Sequence, residues 1–145
     1  MNKHKIPLEK IVLQDGGVHL VVNAKVNRKK IRLVLDTGAS RTVMDKNRID
    51  RWHDGSEVQE IEQKSAGLGT DSMESSITTI EHLKIEDFKV KSFPVILLDL
   101  SHVNSSYQQL GVKAVDGILG GELLELYHAN IDYKKSIMTL KGKKK

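Results

Sequence analysis

The stretch IRLVLDTGAS, residues 31–40, places an aspartate directly after a run of apolar side chains. A charged side chain at the end of an apolar strand loses hydration, and hydrogen bonds or a charged partner must compensate for that loss. Such a residue therefore usually has a function. Gly38 lets the backbone approach the Asp36 carboxylate closely enough for an N–H group to donate to it. The stretch therefore predicts a strand that turns over at a carboxylate with a function.

The length and composition of the chain fit one folded unit. Its 145 residues have a mass of 16.3 kDa and are 39% hydrophobic, which suits a single domain with one core of moderate size. Cysteine is absent, which excludes disulfides, thiolate metal sites and cysteine nucleophiles, and fits a reducing compartment. We expect one domain over residues 1–145, with a core at about 6–140 and a basic tail at 141–145.

The excess positive charge lies at the C-terminal end. The formal net charge is +4, and the terminal KGKKK carries four lysines, so the preceding residues balance to zero. This balance argues against a broadly basic, nucleic-acid-binding body. The tail is typical of a solvated, frayed terminus, with contact to an anion or a membrane as the alternative.

The sequence also limits location and cofactors. The start, MNKHKIPLEK, has no apolar run that could serve as a signal peptide, and no later segment approaches the length of a membrane span. We therefore expect a soluble, cytoplasmic protein with neither nucleic acid nor membrane as partner. The six histidines never recur at a metal-ligand spacing, so no metal and no cofactor are expected.

Short apolar runs separated by turn residues indicate a mainly β chain. Strands are predicted at residues 6–14, 19–26, 31–35, around 57–64, within 75–90, at 92–100 and at 131–140, the last with a hairpin bend at its lysines. Turns are predicted at 15–17 and 27–30. In the second strand, Leu20, Val22, Ala24 and Val26 are expected on one face.

Helices are predicted to be few and short. The first spans about 44–55, with Asp45 as a possible N-cap and Ile49 and Trp52 facing inward. Residues 104–110 predict a helical turn, and residues 118–130 a short helix. On that last helix we expect solvent-facing acidic residues opposite three leucines: Glu122 and Glu125 against Leu123, Leu124 and Leu126.

Two motifs carry a family resemblance. LVLDTGAS, residues 33–40, resembles the active-site signature of the aspartic proteases, in which apolar residues precede Asp-Thr-Gly. VDGILGG, residues 115–121, is similar to a later element of that family, in which two apolar residues and a glycine pass behind the catalytic loop. In this chain the element comprises Gly117, Ile118, Leu119 and Gly120.

The order of these segments resembles the single-domain retropepsin-like proteases of bacteria over roughly residues 18–140. The resemblance implies a mainly β fold, a closed acid-protease barrel with one or two short helices and one lobe per chain. The chain departs from the retroviral pattern by extra residues around 41–60 and 98–115, which leaves open which strands pair two subunits.

The resemblance also assigns roles in the loop. Asp36 matches the catalytic aspartate, Thr37 a threonine that reaches across a dimer axis, and Gly38 an N–H donor to the carboxylate. Ser40 matches a hydroxyl that steadies the outer carboxylate oxygen, and Ala39 is simply small. The alternative for Thr37 and Ser40 is ordinary turn hydrogen bonding, and for Asp36 a turn cap in a fold without activity.

Peptide hydrolysis by this chemistry needs two adjacent carboxyls that share one proton. The chain contains one Asp-Thr-Gly, and Asp116 is followed by glycine without the threonine, so it does not match the motif. The second carboxylate is expected from Asp36 of another copy, which implies a homodimer. The predicted function is an aspartic endopeptidase acting on peptides or proteins; the alternative is a catalytically inactive peptide-binding or dimerisation module on the same fold.

A glycine-bearing loop between the catalytic loop and the long hairpin is a flap candidate, with Ala66, Gly67, Leu68 and Gly69 at its centre. Glycines would give such a lid its mobility. The alternative is a plain hairpin turn. A phosphate-binding loop is not favoured, because no lysine follows and the context is not strand-to-helix.

Overall fold

A computed structural model describes residues 2–53, 55, 57–63 and 73–142. The strands are β1 (Asn2–Pro7), β2 (Glu9–Val12), β3 (Val18–Val26), β4 (Lys29–Leu35), β5 (Val43–Asp45), β6 (Val58–Gln63), β7 (Met73–Ile85), β8 (Phe88–Leu98), β9 (Gly117–Leu119), β10 (Asn130–Asp132) and β11 (Ile137–Gly142). The helices are a 3-10 helix (Lys46–Arg51), α1 (Ser101–Gln109) and α2 (Gly121–Leu126). The prediction of a mainly β chain with few short helices is confirmed.

The larger sheet closes into a barrel. Eight strands pair in the order β2-β3-β4-β9-β5-β8-β7-β6, and an additional pairing of β3 with β7 joins six of them in a closed ring. Most pairs are antiparallel, but β4 runs parallel to β9 and β5 parallel to β8. A second sheet has the order β1-β11-β10. The barrel predicted from the motifs is therefore confirmed.

The β3–β4 hairpin forms as its alternation predicts. Leu20, Val22, Ala24 and Val26 are buried in the core cluster. The turn residues Asn27 and Arg28 have positive φ angles of 50° and 70°. This conformation matches the right-handed twist of the paired strands, so a two-residue turn connects them.

The strand predicted at residues 6–14 is wrong, because the chain divides there between the two sheets. β1 pairs with β11, whereas β2 pairs with β3. Pro7 ends β1 and has no N–H group for a ladder. Leu8 is buried, and its N–H donates to the carbonyl of Ser136 at 2.8 Å, which fixes the crossing point.

The helix predicted at 44–55 is confirmed at its N-cap but is shorter than predicted, because Met44 and Asp45 lie in β5 and the 3-10 helix spans Lys46–Arg51. The Asp45 side chain accepts a hydrogen bond from the backbone N–H of Asn47 at 3.0 Å and so caps the 3-10 helix. Trp52 is buried, and Ile49 packs against the core. The helical turn at 104–110 is part of a longer helix, α1, which begins at Ser101.

The helix predicted at 118–130 is wrong at both ends, since α2 ends at Leu126 and Asn130 begins β10. Ile118 and Leu119 lie in β9, and the helix begins at Gly121. Gly117 shows why a strand forms here: a Cβ atom on it would lie 2.4 Å from the carbonyl oxygen of Val43, so only glycine lets β9 fit between β4 and β5. Leu126, expected on the apolar face, is 58% exposed.

None of the helices in the described ranges has the length and apolar character that a membrane crossing requires.

The hairpin bend predicted within 131–140 is confirmed, since β10 and β11 are antiparallel neighbours. This hairpin brings Tyr133 to the mouth of the cavity that contains Asp36. The smaller sheet therefore lies beside the Asp36 loop.

Candidate active site

Asp36 lies at the end of β4, where that strand leaves its parallel neighbour β9. In the register of this pair Leu35 lies opposite Leu119. The backbone N–H of Asp36 continues the ladder and donates to the carbonyl of Leu119 at 3.1 Å. The Asp36 side chain is exposed. The strand pair thus fixes the backbone of Asp36 and leaves its carboxylate accessible.

The residues after Asp36 form a tight turn around it. The N–H of Gly38 donates to Oδ1 of Asp36 at 2.9 Å, and the N–H of Ala39 donates to the Asp36 carbonyl at 3.1 Å. Thr37 and Ser40 are exposed. Within the described ranges, the Ser40 hydroxyl makes no hydrogen bond to the carboxylate, so its supporting role stays a prediction.

The segment Gly117–Gly120 and the start of α2 lie behind this loop. The N–H of Gly121 donates to the carbonyl of Ala39 at 2.6 Å. A Cβ atom on Gly120 would lie 2.6 Å from the carbonyl oxygen of Arg41, which is inside van der Waals contact. The absence of side chains at both glycines lets α2 begin directly against the Asp36 loop.

Glu122 is bound to the exit of the loop, so the prediction that it faces solvent is wrong. Its Oε1 accepts the hydroxyl of Thr42 at 2.9 Å, and its Oε2 accepts the Thr42 N–H. The Thr42 hydroxyl in turn accepts the N–H of Gly120 at 3.0 Å. Thr42 is buried, whereas Glu125 on the same helix is exposed as predicted.

Sequence reasoning missed Thr42 and Glu122 because 80 positions separate them. Neither the sequence around the threonine after the loop nor the sequence around the glutamate after the two glycines indicates that these two residues bind each other. The one available signal was the acidic side chain in the first turn of a helix, where free N–H groups favour negative charge. That signal predicts a local role and not the loop contact.

Asp116 lies at the opposite end of the same strand pair. Its carboxylate is 1% exposed and accepts the N–H of Arg32 at 2.9 Å and the Nε groups of Arg48 and Arg51 at 3.0 Å each. The surrounding cations and the backbone N–H compensate the buried charge. Asp116 therefore has a structural position away from the Asp36 loop.

Comparison with protein-family models decides the family. Residues 22–123 match the model described as Aspartyl protease, a span that includes the Asp36 loop and the segment Gly117–Gly120. The chain belongs to the aspartyl protease family. The resemblance inferred from LVLDTGAS is thereby confirmed. No curated protein sequence matches the chain.

Solved structures show that the chain has a retropepsin-like fold. It is similar to a retropepsin-like aspartic protease from Rickettsia conorii, with 21% identity, a TM-score of 0.55 and coverage of 96% of this chain and 90% of that one. The retroviral protease-like domain of Ddi1 from Leishmania major gives 20% identity and a TM-score of 0.55, and the match covers 84% of this chain and 87% of that one. The EIAV protease complexed with the inhibitor HBY-793 gives 18% identity and a TM-score of 0.52, and the match covers 72% of this chain and 84% of that one.

A cavity of about 260 Å³ adjoins Asp36. Its lining comprises Val18, His19, Leu20, Val34, Leu35, Asp36 and Tyr133. His19 is held from behind by the Tyr107 hydroxyl, 2.6 Å from its Nδ1 atom. Burial raises the pKa of Tyr107 above its usual value. The cavity therefore offers apolar walls with one imidazole beside the carboxylate.

Two predictions concern parts of the site that the described residues do not test. The flap candidate, Ala66–Gly69, lies outside the described residues, as do the last three lysines of the tail. Within the described residues no cluster of three or more His, Cys, Asp or Glu side chains could hold a metal ion.

Proposed function

We propose that this chain is an aspartic endopeptidase that hydrolyses peptide bonds through a water activated by two Asp36 carboxylates, one from each of two copies. The observation that carries the proposal is the exposed Asp36 carboxylate in the Asp-Thr-Gly loop, held by the Gly38 N–H at 2.9 Å. In the described part of the chain its Oδ2 atom accepts no hydrogen bond. That oxygen is free to hold a water.

The requirement for a second copy follows from the number of loops. One chain supplies one Asp-Thr-Gly, and Asp116 is already bound by Arg48 and Arg51. The second carboxylate of the pair is therefore Asp36 of a second copy, related by a two-fold axis through the site. In this homodimer the exposed Thr37 side chain reaches across the axis toward the other loop.

The proposed reaction needs the two carboxyls to share one proton, because like charges in contact do not both ionise. The ionised Asp36 takes a proton from water as the water oxygen bonds to the peptide carbonyl carbon, and the protonated Asp36 gives its proton to the carbonyl oxygen. The C–N bond then breaks. The nitrogen takes the proton from the first carboxyl, and one hydroxyl returns its proton to the second, which restores the pair.

The substrate is proposed to bind as an extended strand across the two loops. The cavity lined by Val34, Leu35 and Tyr133 then receives a side chain next to the cleaved bond. The predicted flap, Ala66–Gly69, would close over the peptide from the other side. The natural substrate class in this proposal is peptide or protein.

The first test compares the wild type with Asp36→Asn in a peptide-library digest across pH. We expect a bell-shaped rate with an acidic to weakly acidic optimum for the wild type, and a loss of about a thousandfold or more for the variant. Asp99→Asn is the matched control, because Asp99 is also exposed and accepts the N–H two residues later, at 2.9 Å. Equal cleavage by wild type and Asp36→Asn would refute the catalytic assignment.

The second test concerns assembly. Sedimentation over a wide concentration range, with and without a peptide-like transition-state analogue, should show a dimer that the analogue stabilises. The rate per chain should fall on dilution, because each site needs two copies. A monomer that retains full activity, or that stays monomeric with the analogue bound, contradicts the two-copy site. Absence of cleavage by a stable wild-type dimer would favour the inactive peptide-binding module.

A further inference from the structure

Four lysines form a row across four neighbouring strands of the barrel, on the segment where β3 meets β7. In the strand registers Lys30 lies opposite Lys25, Lys25 opposite Lys84, and Lys84 opposite Lys89. Residues directly opposite each other in antiparallel strands have side chains on the same face. All four side chains are exposed. With strands 4.7–4.9 Å apart, the row spans roughly 14 Å.

The row is costly for the fold, because like charges directly opposite each other destabilise a sheet. None of the four lysines forms an ion pair with any other described residue. The β7–β8 turn next to the row carries two acidic residues: Glu86, which lines a cavity together with three of the lysines, and Asp87, whose carboxylate binds His4 at 3.0 Å and also interacts electrostatically with Lys84. Four lysines beside two acidic residues leave an excess of positive charge, which favours a partner that brings negative charge from outside the chain.

Two cavities flank the row. One, of about 480 Å³, contains Lys25, Lys30, Lys84 and Lys113, and its lining also includes the acidic residues Glu86 and Asp116. The other, of about 630 Å³, contains Lys25, Lys84 and Lys89 together with Arg28 and Lys91. Neither lining includes phenylalanine, tyrosine or tryptophan among the described residues. The surface therefore offers cationic contacts without a platform on which a base could stack.

We propose that this lysine row binds a linear chain of phosphate groups. The spacing favours phosphate over an acidic peptide. An extended peptide presents same-face side chains about 6.6–6.8 Å apart, further than the lysines, whereas in inorganic polyphosphate a single bridging oxygen joins each phosphorus to the next, so that successive charges lie closer together than the lysines. A phosphate chain can thus supply at least one negative charge for each lysine.

The site is separate from the proposed catalytic centre. Lys30 and Asp36 lie at opposite ends of β4, six residues apart, or roughly 20 Å at the rise of a strand. The phosphate chain could be free, as in inorganic polyphosphate, or part of a nucleic-acid backbone, and the ammonium groups meet the same chemistry in both. The inference does not depend on peptidase activity.

The test measures binding of labelled medium-chain polyphosphate, a single-stranded oligonucleotide, a DNA duplex and poly-glutamate at several salt concentrations. The row variant is Lys25→Gln/Lys84→Gln. The matched control is Lys10→Gln/Lys134→Gln, which removes the same charge from exposed positions outside both cavities. We expect the row variant to bind a phosphate chain about tenfold or more weakly and to reduce the log–log salt slope by about two, with little change in the control.

Thermal melts separate binding from folding. The row variant should be at least as stable as the wild type, because a like-charge pair is gone, and polyphosphate should raise the melting temperature of the wild type only. Binding of polyphosphate alone assigns a free phosphate chain, and equal binding of oligonucleotides assigns a nucleic-acid backbone; both support the proposal. No binding at low salt, an equal loss in both double variants, or preference for poly-glutamate overturns it.

Discussion

Two aspartates sit at opposite ends of one parallel strand pair and have opposite environments. Asp36 follows β4, is exposed, and has one N–H donor to its carboxylate, from Gly38. Asp116 precedes β9, is buried, and has three donors, from Arg32, Arg48 and Arg51. In both cases a glycine lies within two residues along the chain. The chemical group is the same, so the surroundings alone distinguish the two.

The difference concerns where each charge is compensated. The charge of Asp116 is compensated inside the chain, so this carboxylate holds β4, β9 and the 3-10 helix together. The charge of Asp36 is left open to solvent and to a ligand. A carboxylate bound by three donors is a poor base, whereas one with a free oxygen can accept a proton. Removing each side chain in turn should therefore separate folding from reactivity.

The largest expected effect on stability is that of Asp116→Asn. The amide replaces a buried acceptor of two guanidinium groups by a neutral group, so we expect a loss of about 2–3 kcal/mol in the free energy of unfolding. Arg48 and Arg51 keep partial solvent contact, which limits the loss. Chemical denaturation of the purified protein measures it.

Asp36→Asn is the counterpart in the same experiment. It should retain the stability of the wild type or exceed it, because two carboxyls facing each other in a dimer repel once both ionise. If both substitutions destabilised the fold equally, or if Asp116→Asn were neutral, the contrast between a structural and a reactive aspartate would be wrong.

A medium effect is expected where the loop meets α2. Glu122→Ala removes the acceptor of the Thr42 N–H and hydroxyl, so a buried donor loses its partner and the free energy of unfolding should fall by about 1–2 kcal/mol. Glu125→Ala, on the same helix and exposed, should change it by less than about 0.5 kcal/mol.

The same pair of variants sharpens the comparison between structural and reactive carboxylates. If Glu122 positions the Asp36 loop, Glu122→Ala should also lower the peptidase rate, and Glu122→Gln should restore part of it because one acceptor oxygen remains. Equal behaviour of the Glu122 and Glu125 variants in both assays would assign Glu122 to the surface.

The smallest effect is expected at Asp99, an exposed carboxylate that accepts hydrogen bonds from within the chain. Hydrogen bonds from the Ser101 side chain and backbone, and from Asn47, lower the pKa of Asp99 below its usual value. A lowered folded-state pKa contributes stability that is present above the unfolded-state pKa and is lost as pH falls through the folded-state pKa. Wild type should therefore exceed Asp99→Asn slightly at neutral pH, with the difference vanishing in acid.

Urea denaturation of the wild type and of Asp99→Asn between pH 7 and pH 3 measures how their difference in stability changes with pH. A difference that persisted unchanged at the acidic end would show that the charge of Asp99 contributes nothing. A difference that grew as pH fell would contradict the sign of the shift.

Local chemistry explains which features were predictable. The alternation in β3, the turn at Asn27 and Arg28, and the cap at Asp45 depend on neighbours within a few residues, and all three were predicted. The Asp36–Gly38 hydrogen bond belongs to the same class, since it spans two residues. The split after Pro7 was missed because both halves are apolar strands, and the choice between two sheets depends on distant partners.

The sequence by itself determined the family, the strand pattern and the position of the Asp36 loop, because these depend on the period of apolar residues and on turn chemistry. Tertiary structure alone decided the arginine partners of Asp116, 65 and 68 positions away, and the bond from Glu122 to Thr42. It also decided the lysine row. A chain whose charges balance along most of its length still concentrates cations on one face, because strand register, and not composition, determines which side chains become neighbours.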